Sequence, residues 1–155
     1  MDAYKLFQDY IRLQHQIDEF YHELAVRQNL SDSALLVLWT LTDLGEGCTQ
    51  RDICLQFSLT KQTVHSSVRK LAKEGFLFLQ PGPGREVRVF PTEAGRALIR
   101  EKILPLKAAE EAASLRMGGE GLSTMLRLTR NWFALFQEEA ASIPKTKPPE
   151  SSGGT

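Results

Sequence analysis

The stretch from Thr49 to Thr92 constrains the fold of this 155-residue chain more than any other part of it. Thr49 and Thr60 are residues of the type that caps helix N-termini, and each precedes a short segment with helical patterning. Asp52 adds a carboxylate to the first turn of the first segment, where the helix dipole favours negative charge. A bend at Ser58 separates the two segments. The stretch therefore predicts two short helices joined by a tight turn.

The second of these helices has two different faces. Val64, Val68 and Leu71 recur at helical spacing and are predicted to pack inward, and Gly75 is placed to end the helix. The opposite face carries polar side chains suited to base edges and phosphates: Lys61, Gln62, His65, Ser66 and Arg69. Such a helix can present its outer face to nucleic acid while its inner face holds it in the fold.

Two strand patterns follow the second helix. Phe76–Leu79 and Val87–Phe90 are apolar or alternating runs, and the run Pro81–Gly84 forms a turn between them. This turn is predicted to project Arg85 outward. Two helices, a tight turn and a two-stranded wing at this spacing predict a winged helix-turn-helix.

The same stretch resembles the winged helix-turn-helix of the MarR (multiple antibiotic resistance regulator) family. The resemblance is carried by the first helix, with the sequence TQRDIC, and by the recognition helix, which begins with LTKQTV. Three residues separate LTKQTV from VRKL, and three more separate VRKL from Gly75. A wing turn with Arg85 and the closing PTEAGRAL, which is similar to the family's LTxxGxxL, complete it. Family wings usually carry Asp-x-Arg at the turn, whereas this chain has Pro83-Gly84-Arg85 and keeps the arginine without its acidic neighbour. The likeness extends over most of the chain.

The chain has 19 basic and 19 acidic residues and no net charge, but these charges are unevenly distributed. Between residues 61 and 100 the acidic residues are only Glu74, Glu86 and Glu93. The basic residues of the same stretch are Lys61, Arg69, Lys70, Lys73, Arg85, Arg88, Arg96 and Arg100. This imbalance predicts a local basic surface on a neutral molecule, as nucleic-acid binding requires.

The winged segment predicts a set of DNA contacts. Gln62 and Arg69 are assigned to base edges, since glutamine can pair with adenine and arginine with guanine through two hydrogen bonds. Arg85 is expected to enter the minor groove or to lie along the DNA backbone, and His65 is either a contact or inert. The residues assigned to phosphates near the helix start are Lys61, Thr63 and Ser66.

Helical patterns flank the winged segment on both sides. Residues 2–28 have a broad apolar face, and a nearly all-apolar helix begins at Ser31. After the wing, Thr92 caps a helix that Pro105 is predicted to kink near Glu101–Leu104, because proline removes a backbone donor and clashes with the preceding turn. A final helix is predicted to end before Pro144.

This organisation divides the chain into four parts. They are an N-terminal dimerisation helix in residues 1–30, a winged helix-turn-helix DNA-binding domain in 31–92, C-terminal dimerisation helices in 93–143 and a disordered tail in 144–155. The predicted fold is mainly α, with a small β wing. Because the winged core is too small to bury the apolar terminal helices, we expect them to intertwine with those of a second copy, as the resemblance also implies. Such a homodimer would present two recognition helices about 34 Å apart to a near-palindromic site on double-stranded DNA.

The resemblance also implies a cleft between the dimerisation helices and the winged domain, in which small aromatic effectors bind. Ligand binding is expected to favour a dimer whose recognition helices have the wrong separation, and so to lower the affinity for DNA. No cofactor is expected. The candidate lining residues, for each of which a core role fits equally well, are Phe20, Tyr21, His22, Trp39 and Leu104.

Catalytic and metal-binding patterns are weak. The sequence has no Gly-rich phosphate loop, no nucleophile motif and no carboxylate pair with a histidine in a catalytic arrangement, which argues against an enzyme. No thiolate accompanies the one candidate group of metal ligands. The better interpretation is therefore that those residues form the solvent-facing side of the first helix or line the dimer. The group comprises His15, Asp18, Glu19 and His22.

The two cysteines, Cys48 and Cys54, have no partners at zinc-finger spacing. Cys54 is predicted to be a small core residue, whereas Cys48 follows a glycine-containing loop and is predicted to be exposed. A thiol-responsive regulator is therefore an alternative, although Arg51 is the only activating charge nearby.

The longest apolar run, Ala34–Leu41, is too short to span a bilayer, and no signal segment is visible, which predicts a cytoplasmic protein. The sequence as a whole predicts a homodimeric DNA-binding transcriptional regulator, and specifically a repressor relieved by a small ligand. The alternatives are a winged-helix module for protein contact and a regulator that responds to a metal or a thiol oxidant. Salt dependence separates DNA binding from protein contact, since phosphate contacts weaken steeply as salt rises.

Overall fold

The computed structural model describes residues 2–144, which form two compact units, the first ending at Ala109 and the second beginning at Glu110. The elements are α1 (Ala3–Arg27), α2 (Asp32–Leu44), β1 (Cys48–Thr49), α3 (Gln50–Gln56), α4 (Lys61–Lys73), β2 (Leu77–Pro81), β3 (Val87–Pro91), α5 (Glu93–Leu98), the π-helical segment Ile99–Ile103, α6 (Leu104–Met117) and α7 (Gly119–Ala141). None of the described helices is long and apolar enough to cross a membrane. The prediction of a mainly helical fold with a small β wing is confirmed.

Side-chain caps fix where the helices of the first unit begin. The hydroxyl groups of Ser31, Thr49, Thr60 and Thr92 each accept a hydrogen bond from a backbone N–H in the first turn, as predicted. At Thr49 the cap is reciprocal, because the Asp52 carboxylate accepts from the Thr49 backbone N–H at 2.8 Å and from its hydroxyl at 2.8 Å. These hydrogen bonds hold the pKa of Asp52 below its usual value. Both helices of the helix-turn-helix therefore begin at fixed residues.

The core of the first unit is built around α2, which is buried nearly all round. Val37 and Leu38 have no exposed surface, and α3 and α4 both pack against this helix. The three residues of α4 that were predicted to face inward are each at most 2% exposed: Val64, Val68 and Leu71. Each fully buried aliphatic side chain contributes about 1.5–3 kcal/mol to stability. This layer fixes α4 so that its polar face points to solvent.

Three antiparallel strands form the sheet, in the order β1-β3-β2. The two predicted strands are present, and each extends to a proline, Pro81 or Pro91. Strand β1, whose Thr49 lies opposite Arg88, is not evident in the sequence, because a strand of two residues has no periodicity to detect. Its pairing with Arg88 and Val89 holds the start of α3 beside the end of β3 that leads from the wing tip.

One threonine ties the end of α4 to the start of α5. The Thr92 hydroxyl donates to the carbonyl oxygen of Gly75 at 2.6 Å, and the Thr92 backbone N–H donates to that of Phe76 at 2.9 Å. The same hydroxyl accepts from the backbone N–H of Gly95 at 3.0 Å. Gly75, which follows α4, has φ of +83°, a conformation that favours glycine. The recognition helix and α5 are therefore positioned by a common group of hydrogen bonds.

Where the sequence predicts a kink before Pro105, the structure has a π-helical segment, Ile99–Ile103, which ends immediately before α6. A proline ring clashes with the carbonyl of the residue four positions earlier, here Glu101, if the helix remains α-helical. The wider π turn relieves this conflict because its hydrogen bonds span one more residue. Ile103 of this segment is fully buried, so the distortion lies against the core.

The second unit contains the end of α6 and the whole of α7. Gly118 separates the two helices with φ of +80°. No residue of α7 is buried, and the rings of Trp132 and Phe136 stack with centroids 5.5 Å apart. The apolar stripe of this helix is therefore exposed in the single chain. The tail predicted to be disordered comprises residues 144–155, and residues 145–155 of it lie outside the described part of the chain.

Candidate nucleic-acid interface

The outer face of α4 presents a continuous polar surface. Lys61, Gln62, His65, Ser66 and Arg69 are all exposed, as predicted. Gln62, Ser66 and Arg69 follow one another at helical spacing and form a single stripe along the helix. Neither Lys61 nor Arg69 forms an ion pair with another residue of the described chain. A helix that enters the major groove needs a face of this kind, with donors and acceptors free to reach base edges.

Thr63 has different surroundings from the other candidates on α4. Its backbone N–H donates to the Thr60 hydroxyl at 3.1 Å, and the two hydroxyl oxygens lie 2.8 Å apart. The residue is also partly buried. Thr63 therefore completes the N-cap of α4, and its hydroxyl has only part of its hydrogen-bonding capacity left for a phosphate.

The tip of the wing is a loop between β2 and β3, in which the Arg85 side chain is exposed. The Gly82 N–H donates to the Glu86 carbonyl at 2.9 Å, and the Glu86 N–H donates to the Pro83 carbonyl at 3.3 Å. Gly84 has φ of +65°, which turns the chain before Arg85. Within residues 2–144, Arg85 has no ion-pair partner. An unpaired guanidinium at this position suits the minor groove or a phosphate.

The basic surface is smaller than the sequence predicts because some of its arginines are held by carboxylates. Arg96 donates to the two oxygens of the Glu46 carboxylate at 2.8 and 2.7 Å, and Arg100 lies 3.5 Å from Glu93. The hydrogen bond from Arg96 holds the pKa of Glu46 below its usual value. Among the described residues, the basic side chains of this stretch that remain unpaired are Lys61, Arg69, Lys70, Lys73 and Arg85.

The five candidate effector residues lie in different surroundings. Tyr21 and Trp39 meet edge to face with ring centroids 6.3 Å apart, and Trp39 belongs to the core. The His22 ring lies 2.8 Å from a carboxylate of α2, while Phe20 is 52% exposed. Leu104 lines a cleft of about 310 Å³ between the end of α2, the end of β3 and the π-helical segment, and the other four do not line it.

One of the four candidate metal ligands on α1 has a hydrogen-bond partner on α2. His22 hydrogen-bonds Asp32 at 2.8 Å and so links α1 to α2. His15, Asp18 and Glu19 are exposed. In the part of the chain that the structure describes, no three His, Cys, Asp or Glu side chains are arranged to hold a metal ion.

The prediction that Cys48 is exposed is wrong. Cys48 is 8% exposed, because β1 pairs with β3 opposite Val89 and turns the thiol into the core. Burial and the nearby Asp52 carboxylate raise the pKa of the Cys48 thiol to about 11. Since the thiolate is the reactive form, a thiol with this pKa is a poor redox sensor at neutral pH. Cys54 is partly buried and packs against the same core, as predicted.

We expect Cys48 to resist alkylation in the folded protein. In a Cys54→Ala variant, iodoacetamide at about pH 8 should modify Cys48 at least about 100-fold more slowly than in the same chain unfolded in urea. This factor is the thiolate ratio that follows from raising the pKa from 9.0 to about 11. Mass spectrometry of timed samples measures both rates. A Cys48→Ala variant, in which Cys54 is the remaining cysteine, gives the rate of a partly buried thiol for comparison. Equal rates for folded and unfolded Cys48 would show that the thiol is not buried.

One arginine near the wing is missing from the sequence-based candidates. Arg51, exposed in the first turn of α3, lines a cleft of about 460 Å³ together with Arg85 and Glu86 of the wing tip. The cleft exists because Thr49 pairs with β3 and holds α3 next to the wing. No local pattern could indicate this proximity, since it depends on pairing between residues far apart in the sequence.

Comparison with known proteins agrees with this geometry. The sequence model of the MarR family matches residues 28–86, which include α4 and the wing tip. The chain is similar to a MarR family regulator from Neisseria meningitidis, with 27% identity and a TM-score of 0.66, over 92% of this chain and 98% of that one. No curated protein sequence matches it.

Two further structures share the fold at lower identity. One is MepR of Staphylococcus aureus in complex with DNA, with 18% identity and a TM-score of 0.62, over 87% of this chain and 98% of that one. The other is BpsR of Bordetella bronchiseptica, whose DNA binding is regulated by 6-hydroxynicotinic acid, with 22% identity and a TM-score of 0.58, over 84% and 93%.

Proposed function

We propose that this chain, which belongs to the MarR family of transcriptional regulators, acts in the cytoplasm as a homodimeric repressor that binds a near-palindromic operator and is released by a small aromatic ligand. One observation carries the proposal: the exposed polar stripe of α4 lies in the same unit as a wing with an unpaired arginine at its tip. An amphipathic helix with a basic outer face is common, because such a face can simply be in contact with solvent. A helix of that kind would have no need of a wing beside it. The pair is suited to reading adjacent grooves of DNA.

In the proposed complex, α4 enters the major groove and the wing reaches the neighbouring minor groove. Gln62 and Arg69 read base edges, while Lys61 and Ser66 contact phosphates. Arg85 lies in the minor groove or along the backbone. The N-cap at the start of α4 and the Thr92 hydrogen bonds at its end hold the helix rigidly, as a base-reading element requires.

Exposed apolar side chains support the dimer. On α1, Leu6, Ile17 and Phe20 are between 41% and 52% exposed in the single chain. On α7, residues at alternating spacings of four and three make a seam like that of a coiled coil. This α7 seam comprises Leu122, Leu126, Thr129, Phe133 and Phe136. An intertwined two-fold dimer would remove such surfaces from water and set the spacing between the two recognition helices.

Release by a ligand is the second part of the proposal. The regulation of BpsR by an aromatic acid supports this class of effector, and the proposed contacts are Phe20, Tyr21, His22, Trp39 and Leu104. The recognition helices of the dimer can be correctly or wrongly spaced for the operator. The factor by which the effector lowers operator affinity cannot exceed the ratio of its own affinities for the wrongly spaced and the correctly spaced dimer. A ligand that bound both arrangements equally would leave the DNA in place.

A fluorescence-anisotropy titration tests the proposal. The purified protein is titrated against DNA from the region upstream of its own coding sequence, with unrelated DNA as control, at a series of salt concentrations. Tight, salt-sensitive and sequence-selective binding by a dimer is the expected result. If operator candidates selected from random DNA also bind no better than control DNA, the winged segment serves another partner. Binding that does not respond to salt would point to protein contact instead.

We expect Arg69→Ala and Arg85→Ala to weaken operator binding in different ways. Losing Arg69 removes a bidentate hydrogen-bonded contact to a base, so the preference for that base in each half-site should relax. The free-energy difference between the preferred base and the others should fall there by about 1–3 kcal/mol. Losing Arg85 should weaken binding without relaxing that preference. Anisotropy titrations with single-base operator variants separate the two effects. Arg27→Ala, which removes an exposed arginine of α1, is the control, and unchanged affinity in both test variants would refute the assignment.

A further inference from the structure

We infer that Arg51 is a DNA phosphate contact that acts together with Arg85, so that the cleft between α3 and the wing tip seats the sugar-phosphate backbone of bound DNA. The inference rests on the proposed function and adds to it a residue outside both the recognition helix and the wing. Three observations carry it: the charge of the cleft, its shape and its place between the two DNA-reading elements.

The cleft has an excess of positive charge. It is lined by Thr49, Gln50, Arg51, Arg85, Glu86 and Val87. Within the described residues, neither Arg51 nor Arg85 is paired with a carboxylate. Glu86, the acidic member of the lining, lies 3.7 Å from Arg88, which offsets its charge. Two unpaired guanidinium groups beside one cleft repel each other, and an anion placed between them would remove that repulsion.

The shape of the cleft suits a polymer backbone. Its volume of about 460 Å³ is bounded on one side by the first turn of α3 and on the other by the wing tip. Guanidinium groups bind phosphate through two parallel hydrogen bonds, which gives them an advantage over lysine at such a site. A phosphodiester strand passing through the cleft could therefore be held from both sides, by Arg51 and by Arg85.

The position of α3 supplies the third step. This helix packs against both α4 and β3, and so adjoins both elements proposed to enter the DNA. A helix in the major groove and a wing in the adjacent minor groove have one sugar-phosphate strand between them. Arg51, exposed on α3, lines the same cleft as Arg85 of the wing tip and is therefore placed to contact this strand.

The salt dependence of DNA affinity tests the inference. The logarithm of the affinity falls with the logarithm of salt concentration by about 0.9 for each phosphate contact, so the loss of one contact per subunit of a dimer should flatten the slope by about 1.8. Arg51→Gln should show this change with operator and with unrelated DNA alike, because a phosphate contact carries no sequence information. Arg51→Lys keeps the charge and should retain most of the slope.

Arg27→Gln is the matched control, since it removes one exposed arginine that lies 3.4 Å from Glu23 on α1. Its slope should equal that of the unaltered protein, and circular dichroism should show all variants equally folded. If Arg51→Gln keeps the full slope while the unaltered protein binds DNA, the inference is wrong and the proposed function stands. If the unaltered protein shows no salt-dependent DNA binding, the proposed function is itself refuted, and the inference with it.

Discussion

Replacing Gly95 by alanine should destabilise the protein by about 3 kcal/mol or more. Gly95 is buried in α5, and a Cβ atom there would overlap the carbonyl oxygen of Phe76, with the Phe76 carbonyl carbon 3.0 Å away and the Pro91 Cβ 3.2 Å away. That carbonyl cannot move freely, because it accepts the Thr92 backbone N–H at 2.9 Å. The added methyl group must therefore push α5 away from Phe76, in the segment that joins α4 to β2.

Urea unfolding followed by circular dichroism measures the effect as a lower transition midpoint with an unchanged slope. Gly119→Ala is the matched control: it makes the same substitution in a helix, but nothing lies within 4 Å of the added Cβ. This control should be neutral or slightly stabilising, because alanine restricts the unfolded chain more than glycine does. Equal midpoints for Gly95→Ala and the unaltered protein would mean that α5 does not approach Phe76 so closely.

Features that depend on residues a few positions apart could be predicted from the sequence. The caps at Ser31, Thr49, Thr60 and Thr92 each join a hydroxyl to a backbone N–H within the next three residues. A capping residue and its partner are therefore visible in one short window. The inner face of α4 was predictable for the same reason, since helical periodicity repeats within two turns.

Features that depend on distant pairing could not be predicted in this way. The burial of Cys48 and the cleft beside Arg51 both follow from the pairing of β1 with β3, which has no local pattern. The Arg96–Glu46 pair joins residues 50 positions apart and removes a charge that the composition assigns to the basic surface. The distribution of basic residues along the sequence therefore overestimates the basic surface that is available to DNA.

For two residues, the residue type does not predict the surroundings in the folded protein. Ser67 is polar, yet it lies among the inward-facing positions of α4 and is 6% exposed, with a hydroxyl that has no hydrogen-bond partner within the described residues. Gly95 belongs to the PTEAGRAL segment that resembles a family motif, but the motif gives no physical reason for a glycine. The reason is the close approach of α5 to the Phe76 carbonyl, which only the packed structure contains.

Phe133→Glu should convert the proposed dimer into a monomer. Phe133 is 52% exposed in the single chain and lies within the α7 seam. In an intertwined dimer its ring would be removed from water, and a carboxylate in its place would have to be desolvated against apolar side chains, at a cost of several kcal/mol for each copy. Because no residue of α7 is buried in the single chain and Phe133 belongs to the second unit, the substitution should leave the fold of the first unit unchanged.

Sedimentation equilibrium at micromolar concentration measures the oligomeric state, and anisotropy measures operator affinity. The monomer should bind the operator roughly 10²–10⁴-fold more weakly, because the two half-sites are no longer engaged by linked recognition helices. Asn131→Glu adds the same charge to the opposite face of α7 and should stay dimeric. A Phe133→Glu protein that remains a dimer would move the interface away from the α7 seam. A monomer with undiminished operator affinity would show instead that the two recognition helices do not act together, and the near-palindromic operator would then lose its physical basis.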